Sequence, residues 1–346
     1  MNPIRVLITG AGSGVGQGII KALRLSELPI TVIAGDIAPL SAAFFRSDEA
    51  MIIPKVESPG ALPELIASVR EKKIDVLMSG SEFDLEFIAE HKSEIERESG
   101  ALVIASPVDT VRMGNDKWLT AEFLRNNGLA YPESALAEDA DQAAKIARDW
   151  GYPIILKARQ GTSSRHVHIV DDEDGLRMHF PTVPSPMLQR PVALPSRDLG
   201  QEMTCSLFHL SDNSHLGPFT ARRTLRGGNS WYVECREFPE LHALMNDIAG
   251  KTKGMGSLNV QLMVGKNGPV PFEINARFSG TTAIRAHFGF NEPEMCLRHF
   301  FLGQTLPDPE IKFGVAIRYL EEVFIDGVNA ENIGPPFPQG TINPWF

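Results

Sequence analysis

Cysteine is scarce in this chain: only three occur, Cys205, Cys235 and Cys296, far apart and without a Cys-x-x-Cys pair. That excludes a disulfide framework and a zinc ribbon, and it fits a reducing compartment. Long apolar runs are also missing; none approaches the roughly 18 residues a membrane span needs. The first residues run from Ile4-Arg5-Val6-Leu7-Ile8 directly into glycines, without a signal-peptide layout, so the expected location is the cytoplasm. Excess positive charge is absent as well. With 33 Lys+Arg against 43 Asp+Glu the net charge is −10, the wrong sign for wrapping nucleic acid or lying on anionic lipid. What remains is 346 residues, 43% hydrophobic and 22% charged, enough for two or three packed domains and without an internal repeat.

The first third alternates short apolar runs with helical patterns, the βαβ signature of a parallel sheet covered by helices. Strands are expected at Val6–Thr9, Thr31–Ala34, Met51–Ile53, Val76–Ser79 and Leu102–Ala105, with helices over Gly18–Leu25, Leu62–Lys72 and Asp84–Glu98. A further helix is expected from Asn115 to Asn126, closed by Asn127-Gly128. Then Pro153–Lys157 and His166–Val170 read as strands around a loop rich in glycine and hydroxyls. A proline-rich stretch over 180–200 reads as a hinge, Glu202–His209 as a strand, and Asn259–Val264 with Val270–Asn275 as a hairpin. The tail beyond Gly327 reads as a loop or surface-bound arm.

The loop Gly10-Ala11-Gly12-Ser13-Gly14-Val15-Gly16 lies between a strand and a helix, and Asp36 ends the second strand. Glycines there let backbone N–H groups and a helix N-terminus face an anion, which leaves open a dinucleotide, another anionic ligand or a structural turn. On the later hairpin, Glu273 and Asn275 are two residues apart and share a face that Gln261 can join from the partner strand. One carboxylate and two amides make a sparse oxygen set, suited to magnesium shared with substrate phosphates.

Three features follow in order: Gly114-Asn115-Asp116-Lys117, then Ile155-Leu156-Lys157 with its loop to Ser164, then Asn259-Val260-Gln261 with Phe272-Glu273-Ile274-Asn275-Ala276-Arg277. Together they resemble the ATP-grasp superfamily, most closely its carbamoyl-phosphate-synthase large-subunit-like branch, over roughly residues 1–305 and with a single ATP-grasp unit. The resemblance implies an α/β chain with a doubly wound parallel-sheet domain, 1–112, followed by a two-lobed α+β ATP-grasp domain, 113–188 and 189–305, and an extension, 306–346. It implies that Lys117 and Lys157 bind ATP phosphates under a flap of Gly161, Thr162, Ser163 and Ser164. Gln189, Arg190, Pro191 and Val192 would form the hinge at the adenine edge, and Glu202 would face the nucleotide. Gln261, Glu273 and Asn275 would hold Mg2+, with Mn2+ as the alternative, and Arg277 would face the transferred phosphoryl group. The glycine loop (Gly12, Ser13) and the loop of Ser81 and Glu82 would face the acceptor substrate. Two departures stand out: Arg190 occupies the position where a ribose-binding acid is usual, and Arg226 replaces a histidine before Gly227-Gly228-Asn229-Ser230. Arg226 is a candidate for gripping a substrate carboxylate bidentately, against a plain loop of solvated cations. The implied activity is an ADP-forming carboxylate–amine ligase acting on small molecules, alone or as a homodimer, without nucleic-acid or membrane partners. The alternatives are an NAD(P)-dependent oxidoreductase using the first glycine loop and a non-catalytic ATP sensor.

Overall fold

The computed structural model describes residues 2–161, 166–193, 202–337 and 340. Its first sheet is parallel, built from β1 (Ile4–Thr9), β2 (Ile30–Asp36), β3 (Glu49–Ile52), β4 (Val76–Ser79) and β5 (Leu102–Ile104) in the order β3-β2-β1-β4-β5. Val6, Leu7 and Ile8 are all fully buried because helices cover both faces. Val6 and Ile8 pack with Ile19, Ile20 and Leu23 of α1 (Gly14–Arg24). Leu7 and Leu77 pack on the other face, against α2 (Ala61–Glu71), α3 (Glu82–Glu90) and α4 (Lys92–Ser99). The strand order reverses between β1 and β4, and the crevice beyond their carboxyl ends is where open α/β sheets bind ligands.

The single helix expected over 84–98 is two helices that meet at His91. The apolar spacing Leu85, Ile88, Ile95 continues across the junction and neither glycine nor proline marks it, so nothing in the sequence signals the break. Likewise the helix expected from Asn115 is preceded by an unanticipated one, α5 (Val108–Asn115), and α6 starts at Lys117 (Lys117–Asn126). Asp116 separates them in extended conformation and caps α6 by accepting from the N–H groups of Trp118 and Leu119.

The second sheet is antiparallel. β6 (Ser134–Leu136), β7 (Ile154–Ala158), β8 (Val167–Val170) and β9 (Pro186–Gln189) run in the order β6-β9-β7-β8, and α7 (Ala140–Trp150) and α8 (Glu173–His179) cover one face. The third sheet has six antiparallel strands, β10 (Glu202–His209), β11 (His215–Arg226), β12 (Asn229–Cys235), β13 (Gly256–Gly265), β14 (Gly268–Asn275) and β15 (Gly314–Ile317), in the order β14-β13-β10-β11-β12-β15. One face buries Met203, Cys205, Leu258 and Val260 under α9 (His242–Lys251). The opposite face meets α1 through α10 (Thr282–His287) and α11 (Glu292–Cys296), so the first and third sheets share one core. β11 and β12 had no clear alternation in sequence, because β11 carries polar side chains on both faces near its site end, at Arg222, Arg223 and Thr224. Gly227 and Gly228, both at positive φ, form the turn between them. The tail does return as an arm: the Phe337 ring packs tilted against Phe44 with centroids 4.5 Å apart, and the Gly340 N–H donates to the Phe45 carbonyl at 3.2 Å. Among the described residues, no helix is long and apolar enough to cross a membrane.

Candidate active site between the sheets

The β13–β14 hairpin pairs Gln261 with Glu273 and Asn259 with Asn275, which brings the three expected oxygen ligands onto one face. Both amides donate to Glu273 Oε1, from Gln261 Nε2 at 3.0 Å and from Asn275 Nδ2 at 2.8 Å. Gln261 is also held from behind: its Oε1 accepts from Arg223 Nη2 at 2.8 Å. Gln261 therefore orients the carboxylate, while the second Glu273 oxygen and Asn275 Oδ1 are the atoms left for a cation. No group of three or more His, Cys, Asp or Glu among the described residues forms a metal cage. Two oxygens fit a hard cation that keeps waters and shares phosphate oxygens.

Arg223 is one residue that sequence reasoning missed. It reaches Glu202 Oε1 at 2.6 Å, Ser230 Oγ at 3.0 Å and Gln261, with a side chain only 10% exposed. The signal was the antiparallel register, which sets Arg223 directly opposite Glu202 and needs β11 to be recognised as a strand. Glu202 thus faces this polar network, bonded to Arg223. Arg226 does not join it. Its guanidinium lies over the Trp231 ring at 4.7 Å on the exposed end of the hairpin, near the first glycine loop, where Asn229 approaches Gly14.

The lysines come from the other lobe. Gly114 lets α5 press against the β14 backbone, since a Cβ there would lie 2.7 Å from the Ile274 carbonyl oxygen. That contact seats Lys117 at the start of α6 near the hairpin. Lys117 Nζ donates to the Gly161 carbonyl at 2.9 Å, and Asp116 forms an ion pair with Arg159 at 2.6 Å that ties α6 to the end of β7. Asp116 and Arg159 were not singled out in the sequence, although both flank expected phosphate ligands. Lys157 is 5% exposed and donates to Gln189 Oε1 at 2.8 Å across β7–β9. Burial, reinforced by Lys117 and opposed by Glu273, lowers its pKa to about 8. The free enzyme therefore loses this charge as the pH rises through about 8, and a bound polyphosphate restores it. ATP affinity is expected to weaken above pH 8 with proton uptake on binding, measurable by calorimetry in buffers of different ionisation heat; Lys157→Met should remove both effects.

Thr162, Ser163 and Ser164 lie outside the described residues; Gly161, at φ +117°, begins that loop. The hinge runs past the hairpin turn: Val192 packs where a Gly265 Cβ would sit, 2.8 Å away, and the Lys266 N–H donates to the Ala193 carbonyl. Arg190 turns outward to Glu133 and Trp150, so Gln189, Arg190, Pro191 and Val192 offer backbone rather than a charged side chain to a nucleotide.

At the first domain, Ser13 caps α1 by accepting from the Gly16 N–H and donates to the Gly80 carbonyl at 2.5 Å. The Gly12 N–H donates to Asp36 Oδ2, which also accepts from Ser41, while Asp36 Oδ1 accepts from the Ile37 N–H. Ser81 caps α3. Glu82, the first residue of that helix, forms an ion pair with Arg277, whose Nη1 also donates to the Phe278 carbonyl at 2.9 Å. The expected phosphoryl-facing arginine and the expected acceptor loop thus meet at the crevice. Burial lowers the Arg277 pKa to about 10, with Arg285 adding to the effect, and its Nε has no partner among the described residues.

Two family models match in tandem: the PylC-like N-terminal domain over residues 6–104 and the ATP-grasp domain over 114–281. The chain carries an ATP-grasp domain. Its fold follows the carbamoyl-phosphate-synthase-like arrangement, a glycine-loop domain ahead of two lobes. N5-carboxyaminoimidazole synthetase from Staphylococcus aureus, complexed with ADP, superposes with a TM-score of 0.73 at 15% identity, covering 92% of this chain and 83% of that one. The biotin carboxylase domain of the Hydrogenobacter thermophilus 2-oxoglutarate carboxylase, solved as a dimer with MgADP and bicarbonate, gives 0.72 at 15% identity, covering 100% and 84%. Biotin carboxylase from Campylobacter jejuni gives 0.70 at 16% identity, covering 90% and 74%. Identities this low carry the fold; the chemistry of this ATP-grasp chain rests on its own residues.

Proposed function

We propose that the protein is an ATP-dependent carboxylate–amine ligase that releases ADP and phosphate. The observation that carries this reading is the convergence of Lys117, Lys157, Glu273 and Asn275 between the lobes, next to an Arg277 already engaged by a carboxylate. A substrate carboxylate oxygen attacks the γ-phosphorus, the bond to the β–γ bridging oxygen breaks, and ADP leaves with that electron pair. An amine nitrogen then attacks the acyl carbon, phosphate departs, and the amine proton passes to phosphate or solvent. Lys117 and Lys157 hold the phosphates, and Arg277 neutralises charge as it develops on the transferred group. When bound, Mg2+ neutralises the β and γ oxygens; Glu273 and Asn275 are the residues to hold it, oriented by Gln261, and Mn2+ would suit the same donors. The nucleotide complexes of similar folds, among them the MgADP-bound biotin carboxylase domain, support this reading.

Residues 1–112 serve the acceptor, 113–188 and 189–305 grasp ATP, and 306–346 form the extension. Small-molecule carboxylate and amine are the partners, in the cytoplasm, and a homodimer is the assembly to test. The oxidoreductase reading is not favoured: both oxygens of Asp36, which a dinucleotide ribose would require, are engaged by Gly12, Ser41 and Ile37. The test is a panel of carboxylic acids with Mg-ATP and hydroxylamine. An acid-dependent hydroxamate with matching phosphate release supports the ligase; ATP binding without acid-dependent phosphate release would instead make the protein a sensor.

A further inference from the structure

The extension after residue 305 takes no part in the chemistry above, yet it returns one arginine to the site face of the third sheet. Ala316 of β15 packs into the core shared by the first and third sheets, and Arg318, two residues on, follows it on that face. The Arg318 backbone N–H donates to the Trp231 carbonyl at 2.8 Å, and its Nη2 donates to the Gly280 carbonyl at 2.6 Å. These two bonds complete a ring of contacts. Asn229 Oδ1 lies 3.6 Å from where a Gly14 Cβ would sit, and the Ser279 carbonyl oxygen 3.6 Å from where a Gly18 Cβ would sit, so the start of α1 joins the β11–β12 hairpin to the turn before α10. A Cβ at Gly280 would meet nothing within 4 Å, so this turn borders open space. Charge singles out the same spot. Arg222, Arg223, Arg277 and Arg285 each pair with an acid, in order Glu234, Glu202, Glu82 and Glu292. Arg318 and Arg226 have no acid partner among the described residues, in a chain whose net charge is −10. Both flank Trp231, Arg226 over its ring at 4.7 Å and Arg318 on its carbonyl. Arg318 is half-buried, and burial lowers its pKa with no acid to oppose the effect. Beyond the Gly280 contact its fork of donors has no partner among the described residues, and an oxyanion is the ligand that such a fork receives bidentately.

Position decides which substrate supplies the oxyanion. The ring is closed by α1, which opens at the glycine loop of the first domain, the part assigned above to the acceptor. Three residues of chain span no more than about 11 Å, so Gly280 sets Arg318 one small molecule's length from Arg277. Resting on the ligase reading, we propose that Arg318, assisted by Arg226, binds a non-reacting carboxylate or phosphate carried by the acceptor amine. The two guanidinium groups receive the oxyanion, and the amine nitrogen is directed toward Arg277, where the acyl phosphate forms on that reading. The extension thereby selects amines that carry a negative charge remote from the nucleophile.

Direct binding tests this without turnover. Two probe pairs are titrated into the whole chain and followed by ligand-observed NMR: β-alanine against β-alaninamide, and O-phosphoethanolamine against ethanolamine. Each pair keeps the amine and differs in the oxyanion, and the pair that is discriminated tells carboxylate from phosphate. Wild type is expected to bind at least one anionic probe ~10-fold or more better than its counterpart, Arg318→Gln to lose that preference, and Arg226→Gln to reduce it several-fold. Glutamine keeps an N–H for the Gly280 carbonyl, so a role confined to holding that turn would leave the preference in place. Arg70→Gln, which removes an exposed cation from α2, should bind like wild type. Should Arg318→Gln fail to fold, Arg226→Gln decides, because the Arg226 guanidinium rests on an aromatic ring at the exposed end of the hairpin. Equal affinity within both probe pairs, a preference that survives Arg318→Gln, or one that Arg226→Gln leaves untouched when it alone folds, would overturn the proposal. Failure of the hydroxamate assay alongside intact anion selectivity would remove the ligase reading and leave the oxyanion site standing. An active ligase that uses β-alaninamide and ethanolamine as well as their anionic counterparts would do the reverse.

Discussion

Glu273→Ala is expected to lower ATP turnover by about 10³-fold or more while the protein remains folded. Glu273 is the one carboxylate in the expected cation set, and its Oε1 is the common acceptor for Gln261 and Asn275. Removing it takes away charge and geometry together, since both amides lose the atom that aims them. Core packing should change little: the side chain is on the polar face of β14, and its strand neighbour Ile274 holds the opposite, apolar face. Lys157 supplies an internal check, because Glu273 is the charge that supports its protonated form. In Glu273→Ala the Lys157 pKa should fall further, so the pH above which ATP binding weakens should move down. Glu273→Gln separates the two losses: it keeps an acceptor for the amides and removes the charge. The measurement is steady-state phosphate release together with ATP binding by calorimetry. A folded Glu273→Ala with wild-type turnover would take Glu273 out of the site.

How much of this was legible in the sequence depended on whether local pattern or remote register carried the information. The parallel strands β1, β2, β4 and β5 were legible because each is largely buried and reads as a short apolar run; at the edge, β3, in which only Met51 is buried, was legible from the apolar run Met51–Ile53. The β13–β14 hairpin was legible because period two and the Gly265–Gly268 turn agree. β11 and β12 were not, and with them went Arg223, whose importance comes from lying opposite Glu202 in a pairing no local spacing encodes. Arg226 shows the converse. Its place ahead of two glycines left a carboxylate grip and a solvated loop equally open, and its position over Trp231 is a contact that local spacing did not reveal. Gly114 reads in sequence as part of a phosphate motif, whereas its physical role is a close approach to β14 that only the fold reveals. The pairing of Arg277 with Glu82 joins residues far apart in the chain, and only the fold brings them together.

Arg277→Lys is expected to reduce kcat by about 10²-fold or more, with a much smaller change in ATP affinity. The guanidinium now divides its contacts: one Nη pairs with Glu82 and the other donates to the Phe278 carbonyl. Lysine has a point charge and no fork, so it cannot keep the backbone contact while reaching a second partner. It also titrates more easily. The environment that brings the arginine down to about 10 would press a lysine, which starts lower, toward its neutral form. The variant should therefore lose residual activity as the pH rises through the depressed lysine pKa, a limb that the always-charged wild-type guanidinium does not show. Glu82→Gln tests the partner: it frees Arg277 from its resident carboxylate, so the KM for the acid substrate should fall if that carboxylate occupies the substrate's place. A rise in KM would instead assign Glu82 to holding Arg277 in its working orientation, and unchanged kinetics in both variants would remove the pair from catalysis.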